Sequence, residues 1–184
     1  MPELRTRART GSHRTVRTLS DQPSFRRRRA SPLLRLMLRV PRYLYIGPLA
    51  ELMRSRCILL LTTRGRRTGL PRTTAVSFMP LLDGHLVVFS GWGVTSAWYA
   101  NVGAEPRVRV KVGRREMSGT AKVVEEPARR VELMRQMAAR SGGCGPPKPT
   151  RPLLKLTRVF DYEGEIAMAL RAGSSLPVVE ITPD

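Results

Sequence analysis

The alternation of apolar and polar positions divides the chain into a polar start, a helical stretch and a series of short strands. Residues 1–31 show no apolar period. From Ser31-Pro32 onward, apolar residues fall on one side and arginines on the other. This pattern predicts an amphipathic helix over Pro32–Ile46, divided at Pro41, and a short second helix near Leu49–Arg54.

Beyond residue 56 the helical period gives way to short apolar runs bounded by turn residues. Asp83-Gly84 is a hairpin signal. Basic residues alternate with valine over Arg107–Val112, which is typical of a strand with one face toward water. The predicted strands are Cys57–Thr63, Arg72–Met79, Leu86–Ser90, Arg107–Val112, Met117–Val124 and Pro177–Ile181.

Helical patterns separate several of these strands, at Ala97–Gly103, Pro127–Arg140 and Glu163–Arg171, whereas Ser141–Pro152 reads as a Gly/Pro loop. Short antiparallel strands with helices between them predict an α+β fold built on a small closed or partly closed barrel. We expect residues 32–184 to form this single domain, with the first helix lying across the barrel. Residues 1–31 are expected to form a disordered basic tail.

Positive charge is spread over both predicted parts of the chain. The formal net charge is +19, and residues 1–31 hold nine arginines against two acidic side chains. The remaining residues hold 24 basic and 12 acidic side chains, so the domain is basic in its own right. Such a surface attracts nucleic acid, anionic lipid or a phosphorylated cofactor. Without aromatic strand motifs that stack bases, a specific nucleic-acid partner is not expected.

Cysteine and histidine are too few for several kinds of site. Cys57 lies in an apolar run and is predicted to be an inert buried thiol, and Cys144 is the only other cysteine. His13 and His85 are the only histidines, which disfavours a Ser-His-Asp triad, and no metal site is expected. If the protein is an enzyme, a bound cofactor is therefore expected to supply the reactive atom.

The sequence predicts a cytoplasmic protein. No run of about 18 uncharged apolar residues exists that could cross a membrane. Arginines interrupt the apolar segment that an export signal would need. The amphipathic arginine helix leaves a peripheral membrane contact open, beside the alternative that it packs on the barrel.

The candidate chemistry lies in two segments, Leu61–Thr74 and Ser90–Asn101. The first is a strand that enters a glycine-punctuated turn carrying several arginines, and the second is a glycine loop that opens an aromatic helix. Guanidinium groups pair with phosphate and carboxylate in a bidentate manner, and a glycine-rich turn can add backbone amides. Together the segments predict a site for a flat ring with an anionic tail. The proposed anion ligands are Arg66, Arg67 and Arg72, with hydroxyl groups from Thr68, Thr73 and Thr74.

Four motifs in order resemble the deazaflavin-dependent nitroreductase family. They are G-R-R-T-G-L-P-R at 65–72, S-G-W-G at 90–93, A-W-Y-A-N at 97–101 and L-P-V-V-E-I-T-P at 176–183. The resemblance covers about residues 33–183 and implies a split β-barrel that binds coenzyme F-420, an 8-hydroxy-5-deazaflavin with a phosphodiester and a glutamate tail. It further implies hydride transfer from the reduced coenzyme to a quinone, a nitroaromatic or another electron-poor small molecule.

The resemblance also implies which residues hold the cofactor. Tyr99 is a weak candidate for the catalytic proton donor, with Tyr162 as an alternative. Two other functions stay open at this point, a flavin mononucleotide (FMN) oxidoreductase on the same barrel and a non-enzymatic binder of nucleic acid or lipid. The expected cofactor-binding residues are Arg66, Arg67, Thr68, Gly69, Arg72, Thr73, Thr74, Ala75, Val76, Ser90, Gly91, Trp92, Gly93, Ala97, Trp98, Tyr99 and Asn101.

Overall fold

Six antiparallel strands close into a barrel in the computed structural model, which describes residues 22–26, 40–157 and 160–184. Around the barrel the strands follow the order β1-β2-β3-β6-β5-β4, and β4 pairs with β1 to complete it. The predicted α+β barrel is therefore confirmed. The strands are β1 Ile58–Arg64, β2 Pro71–Pro80, β3 Leu86–Phe89, β4 Arg107–Val112, β5 Arg115–Val123 and β6 Val178–Pro183.

Alternation along the strands fills the barrel. Leu59 and Leu61 on β1 are fully buried, as is Val110 on β4, whereas Arg107 and Arg109 between the β4 valines are exposed. Each fully buried aliphatic side chain contributes about 1.5–3 kcal/mol relative to an exposed one. The buried cluster inside the barrel consists of Leu59, Leu61, Val76, Phe78, Leu86, Val88, Val102, Val108, Val110, Ala121, Val179 and Ile181.

Helices cover the barrel, and none among the described residues is long and apolar enough to cross a membrane. The predicted helix over Pro32–Ile46 falls mostly outside the described residues, and only its last part is seen. Residues 151–156, which overlap the last two residues of the predicted loop, form a helix that the sequence analysis missed. The helices are α1 Val40–Tyr43, α2 Gly47–Ser55, α3 Ala97–Ala104, α4 Pro127–Arg140, α5 Arg151–Leu156 and α6 Tyr162–Ala172.

A fully buried arginine fixes α4 to the barrel. Arg130 has no exposed surface, and its guanidinium donates to the carbonyls of Val124 at 2.9 Å, Glu125 at 2.6 Å and Ser174 at 2.5 Å. Burial of a charged group is costly unless it is hydrogen-bonded, and here three backbone acceptors compensate it. The guanidinium thereby ties the ends of β5 and α6 to the start of α4.

Part of the predicted tail lies on the barrel. The backbone N–H groups of Ser24 and Phe25 both donate to the carbonyl of Ser175, at 3.0 and 2.9 Å. The Phe25 side chain packs against the second buried cluster, which lies between the barrel and α4. The rest of residues 1–31 falls outside the described residues, so the disordered tail stays a prediction.

The prediction of an inert Cys57 thiol is wrong, because Cys57 forms a disulfide with Cys144. Cys57 is only partly buried and has φ +59°, at the turn between α2 and β1. The apolar run therefore begins one residue later, at Ile58. The bridge connects this turn with the loop after α4, where the backbone N–H of Gly145 donates to the carbonyl of Arg56 at 3.0 Å.

Reduction of this disulfide is expected to destabilise the fold. The two cysteines are 87 residues apart, and closing a loop of that length corresponds to about 4.5 kcal/mol of chain entropy in the unfolded state. Adding dithiothreitol should therefore lower the denaturation midpoint of the wild type. A Cys57→Ala/Cys144→Ala double variant should start at the lower value and not respond to the reductant. An unchanged wild-type midpoint would contradict the disulfide.

Loss of the buried guanidinium should be more damaging than loss of an exposed one on the same helix. Arg130→Met leaves three backbone carbonyls without their donor, which should lower the free energy of unfolding by about 3 kcal/mol or more. Arg135→Met, at an exposed position of α4, should stay within about 0.5 kcal/mol of wild type. Urea denaturation measures both changes, and similar losses would refute the anchoring role.

Candidate functional site

The loop between β1 and β2 is a compact turn that presents arginines. The backbone N–H of Gly65 donates to the carbonyl of Leu70 at 2.9 Å, and that of Gly69 donates to Gly65 at 2.7 Å. Gly69 has φ +67°, a conformation that glycine adopts without a steric penalty. The turn leaves Arg66 and Arg67 exposed at its tip. Arg72 follows at the start of β2, so one hairpin carries all three predicted anion ligands.

A buried asparagine joins this hairpin loop to α3. The side-chain oxygen of Asn101 accepts hydrogen bonds from the backbone N–H of Arg66 at 3.2 Å and from its guanidinium at 3.4 Å. The Asn101 amide donates to the Thr63 hydroxyl at 3.1 Å. Asn101 and Thr63 are both buried. These three hydrogen bonds bring the two segments singled out in the sequence into one structure.

Two buried serines hold the loop that leads into α3. The Ser90 hydroxyl donates to the carbonyl of Gly93 at 2.8 Å, so Ser96 donates the hydrogen bond of 2.5 Å between the two serine hydroxyls. Gly93 has φ +67°. These side-chain hydrogen bonds hold the two ends of the loop together, and Trp92 lies at the turn between them.

Between the hairpin and this loop lies a cleft of about 520 Å³. Three arginines, several hydroxyl groups and two tryptophans line it, and none of its lining residues is acidic. A cleft with guanidinium groups and no carboxylate attracts anions. The lining residues are Thr63, Gly65, Arg66, Arg67, Thr68, Arg72, Thr73, Thr74, Trp92, Ser96, Ala97, Trp98 and Asn101.

Ten residues of the expected cofactor set line this cleft: Arg66, Arg67, Thr68, Arg72, Thr73, Thr74, Trp92, Ala97, Trp98 and Asn101. Ala75, Gly91 and Tyr99 do not line it. Val76 is buried inside the barrel, and Ser90 and Gly93 support the loop from within. Gly69 lines a second, smaller cleft of about 300 Å³ together with Arg64, Arg107 and Arg109.

Three lining residues are absent from the expected set: Thr63, Gly65 and Ser96. The alternation of β1 was the available signal for Thr63, because it places this residue on the same side as Leu61. Ser96 immediately precedes α3, at the N-cap position where serine is favoured. Its side chain bonds to Ser90 instead of capping the helix, which no local pattern indicates.

The two tyrosines considered as proton donors are placed away from the cleft lining. Tyr99 packs against the barrel core and meets Trp98 edge-on, with ring centroids 6.2 Å apart. Burial raises the pKa of Tyr99, which keeps its phenol protonated, and the nearby Arg130 charge partly opposes that shift. Tyr162 donates to the carbonyl of Ser141 at 3.0 Å, with the Arg151 guanidinium over its ring. A catalytic role for Tyr99 stays a prediction.

The part of the chain that forms the cleft matches a known protein family. The model of the family described as F420H(2)-dependent quinone reductase matches residues 39–144, more than half of the chain. The matched region contains β1, the arginine hairpin, the Ser90–Ser96 loop and α3. The chain belongs to the F420H(2)-dependent quinone reductase family. Every residue that lines the cleft therefore lies within the region that matches the family.

Individual relatives match over part of their length. An F420H(2)-dependent quinone reductase of Mycobacterium tuberculosis is 39% identical over 69 residues, which cover 36% of this chain and 46% of the relative. A Mycobacterium bovis protein gives the same values. The chain thus spans about half the length of the curated relatives it matches.

Solved structures show more distant similarity. An F420-H2 dependent reductase, FDR-A, has a TM-score of 0.47 and 22% identity, covering 69% of this chain and 95% of its own. A conserved hypothetical protein of Mycobacterium tuberculosis has a TM-score of 0.48 and 20% identity, covering 73% and 77%.

Removal of the Asn101 side chain should loosen the cleft of this family member. Asn101→Ala eliminates all three hydrogen bonds and leaves the buried Thr63 hydroxyl without its donor, so the free energy of unfolding should fall by about 1–3 kcal/mol. Thr95→Ala removes one exposed hydroxyl that donates to the Trp92 carbonyl and should cost about 0.5 kcal/mol or less. Chemical denaturation compares the two, and an Asn101→Ala midpoint equal to wild type would refute the junction.

Proposed function

We propose that the chain is an oxidoreductase that binds coenzyme F-420 in the cleft between the hairpin and α3. The substrate would be a quinone or, more broadly, a nitroaromatic or another electron-poor small molecule. The observation that carries the proposal is that family-matched segments form both walls of a basic cleft that no acidic residue lines. The curated relatives named for F420H(2) and quinone support the same reaction.

The residues of the cleft fit the two chemical parts of this coenzyme. Its phosphodiester and glutamate carboxylates require several positive charges, which Arg66, Arg67 and Arg72 provide in bidentate form. Its flat ring requires an apolar wall, which Trp92 and Trp98 provide. A cleft of about 520 Å³ lies within the range of cofactor sites.

The protein's own contribution would be binding and orientation. When bound, the reduced deazaflavin supplies a hydride. The guanidinium groups hold the anionic tail, while the tryptophans and the Ser90–Ser96 loop fix the ring plane, so the acceptor meets it in a defined orientation. Thr68, Thr73 and Thr74 offer hydroxyl groups to the tail or to polar atoms of the ring. Proton delivery to the reduced product would fall to solvent or, through solvent, to Tyr99, which does not itself line the cleft.

The lining of the cleft favours coenzyme F-420 over the alternative cofactor, FMN. FMN carries a single phosphate and would engage one guanidinium group strongly, whereas three arginines on one hairpin suit an extended anionic tail. A non-enzymatic binder of nucleic acid or lipid would use the charge alone and would not require the two tryptophans. Both alternatives are outcomes of the titration described below.

A peripheral membrane contact belongs to the proposal as well. Tyr43, Ile46, Leu49 and Leu52 around α1 and α2 have 44–70% of their surface exposed, and Arg42 next to Tyr43 is exposed as well. An apolar face flanked by arginine is typical of helices that rest on anionic lipid. A cytoplasmic location remains a proposal, and the disulfide is more typical of an oxidising compartment.

Substitution of one hairpin arginine should weaken the cofactor complex without slowing a saturated enzyme. Arg72→Ala removes a charge-assisted interaction of about 1.5–3 kcal/mol, so the Kd for coenzyme F-420 should rise roughly ten- to a hundredfold. The turnover rate at saturating cofactor should change much less, because the tail contributes uniform binding. Absorbance titration gives the Kd and quinone reduction gives the rate.

Arg135→Ala, on the exposed face of α4, is the charge-matched control and should bind like wild type. Equal losses in both variants would indicate diffuse electrostatic attraction instead of a tail site. Tighter binding of FMN than of coenzyme F-420 would favour the alternative that the protein is an FMN oxidoreductase. No binding of coenzyme F-420 by wild type at micromolar concentration would refute the cofactor assignment.

A further inference from the structure

A short N-terminal segment lies across the loop that carries Trp92. It consists of residues 22–26. Their backbone runs antiparallel to the loop, with an isolated β-bridge between Arg26 and Gly93. The backbone N–H of Val94 donates to the carbonyl of Phe25 at 2.9 Å. We call residues 22–26 the N-terminal strap.

The strap is anchored to the barrel by backbone hydrogen bonds and by the Phe25 side chain. The N–H groups of Ser24 and Phe25 both donate to the carbonyl of Ser175, in the turn between α6 and β6. The partly buried Phe25 side chain packs against the cluster that includes Phe89, Leu133 and Val178. Because β3 ends at Phe89 and the loop begins at Ser90, the anchor lies at the base of the loop it crosses.

Gly93 shows how closely the strap contacts the loop. Gly93 is buried although it belongs to a surface loop. A Cβ atom at this position would overlap the carbonyl group of Phe25, so the contact requires glycine for its space as well as for its positive φ. The same glycine N–H donates to the Ser90 carbonyl at 2.8 Å, and its carbonyl accepts from the Ser90 hydroxyl.

We propose that the N-terminal strap positions the Ser90–Ser96 loop and thereby sets the affinity of the cleft for the flat ring of its cofactor. The Ser90 and Ser96 hydroxyls hold the loop from within, and the backbone N–H of Val94 ties it to the Phe25 carbonyl of the strap. Trp92, at the turn between these two supports, lines the cleft. The strap is thus a positioning segment, and its effect on cofactor binding rests on the proposed function.

The expected magnitude follows from the population of the closed loop. The apparent Kd of a site equals the intrinsic Kd divided by the fraction of molecules in the binding-competent conformation. If loss of the anchor leaves the loop ordered in about a tenth of the molecules, the apparent Kd rises about tenfold. The turnover rate at saturating cofactor should be close to wild type, because bound cofactor restores the loop.

The test uses the full chain with Phe25→Ala, which removes the anchor and keeps the backbone. Met137→Ala is the matched control, because Met137 packs against the same buried cluster and belongs to α4, not to the strap. The two variants should lose similar thermal stability. Phe25→Ala alone should raise the Kd for coenzyme F-420, and Phe25→Leu should restore most of the affinity. Phe25→Leu also serves if Phe25→Ala does not fold, with a smaller rise in Kd expected.

A second measurement needs no cofactor. The chain has two tryptophans, so a Trp98→Phe background reports Trp92 alone. In this background Phe25→Ala should make Trp92 fluorescence more accessible to acrylamide, and Met137→Ala should not. Unchanged quenching and unchanged Kd, or equal changes in both variants, would overturn the strap. If wild type does not bind coenzyme F-420, the proposed function fails and the quenching result still decides the role of the strap.

Discussion

The cleft depends on one buried side chain that connects two distant segments of the sequence. Asn101 on α3 binds the backbone and guanidinium of Arg66 and the hydroxyl of Thr63. The arginine hairpin would otherwise be an exposed turn, held only by its own short hydrogen bonds. Through Asn101 it becomes one wall of a cleft whose other wall consists of Trp92, Ser96, Ala97 and Trp98. Fixing this geometry before a ligand arrives reduces the entropy lost on binding.

The remaining structure supports this junction from behind. The closed barrel fixes β1, and with it Thr63, against its neighbours. The fully buried Arg130 holds α4 against the ends of β5 and α6. The strap and the buried serines hold the Ser90–Ser96 loop from its two sides. Arg66, Arg67 and Arg72 are exposed on the hairpin, so their guanidinium groups can reach an anion. Different residues therefore supply the rigid support and the exposed positive charge.

The sequence predicted those parts of this arrangement that leave a local pattern. Alternating residues identified the strands, and the Gly-Arg hairpin identified six of the thirteen lining residues. The family resemblance implied four more, Trp92, Ala97, Trp98 and Asn101. What escaped prediction depends on distant contacts. The disulfide joins cysteines 87 residues apart, and nothing local to Cys57 indicates its partner. Phe25 lies in a polar, arginine-rich stretch, so its anchoring against the barrel has no periodic signal. Ser96 occupies the N-cap position of α3, but its hydroxyl bonds to the distant Ser90 instead of to the helix.

Hydrogen–deuterium exchange of the wild type with and without coenzyme F-420 tests the central claim most directly, that both segments form one cofactor site. Bound cofactor should slow amide exchange together in the Gly65–Thr74 hairpin and in the segment from Trp92 to Asn101, and leave the exposed face of α4 unchanged. Protection of only one segment would contradict the account. So would protection confined to the smaller cleft beside Arg107 and Arg109.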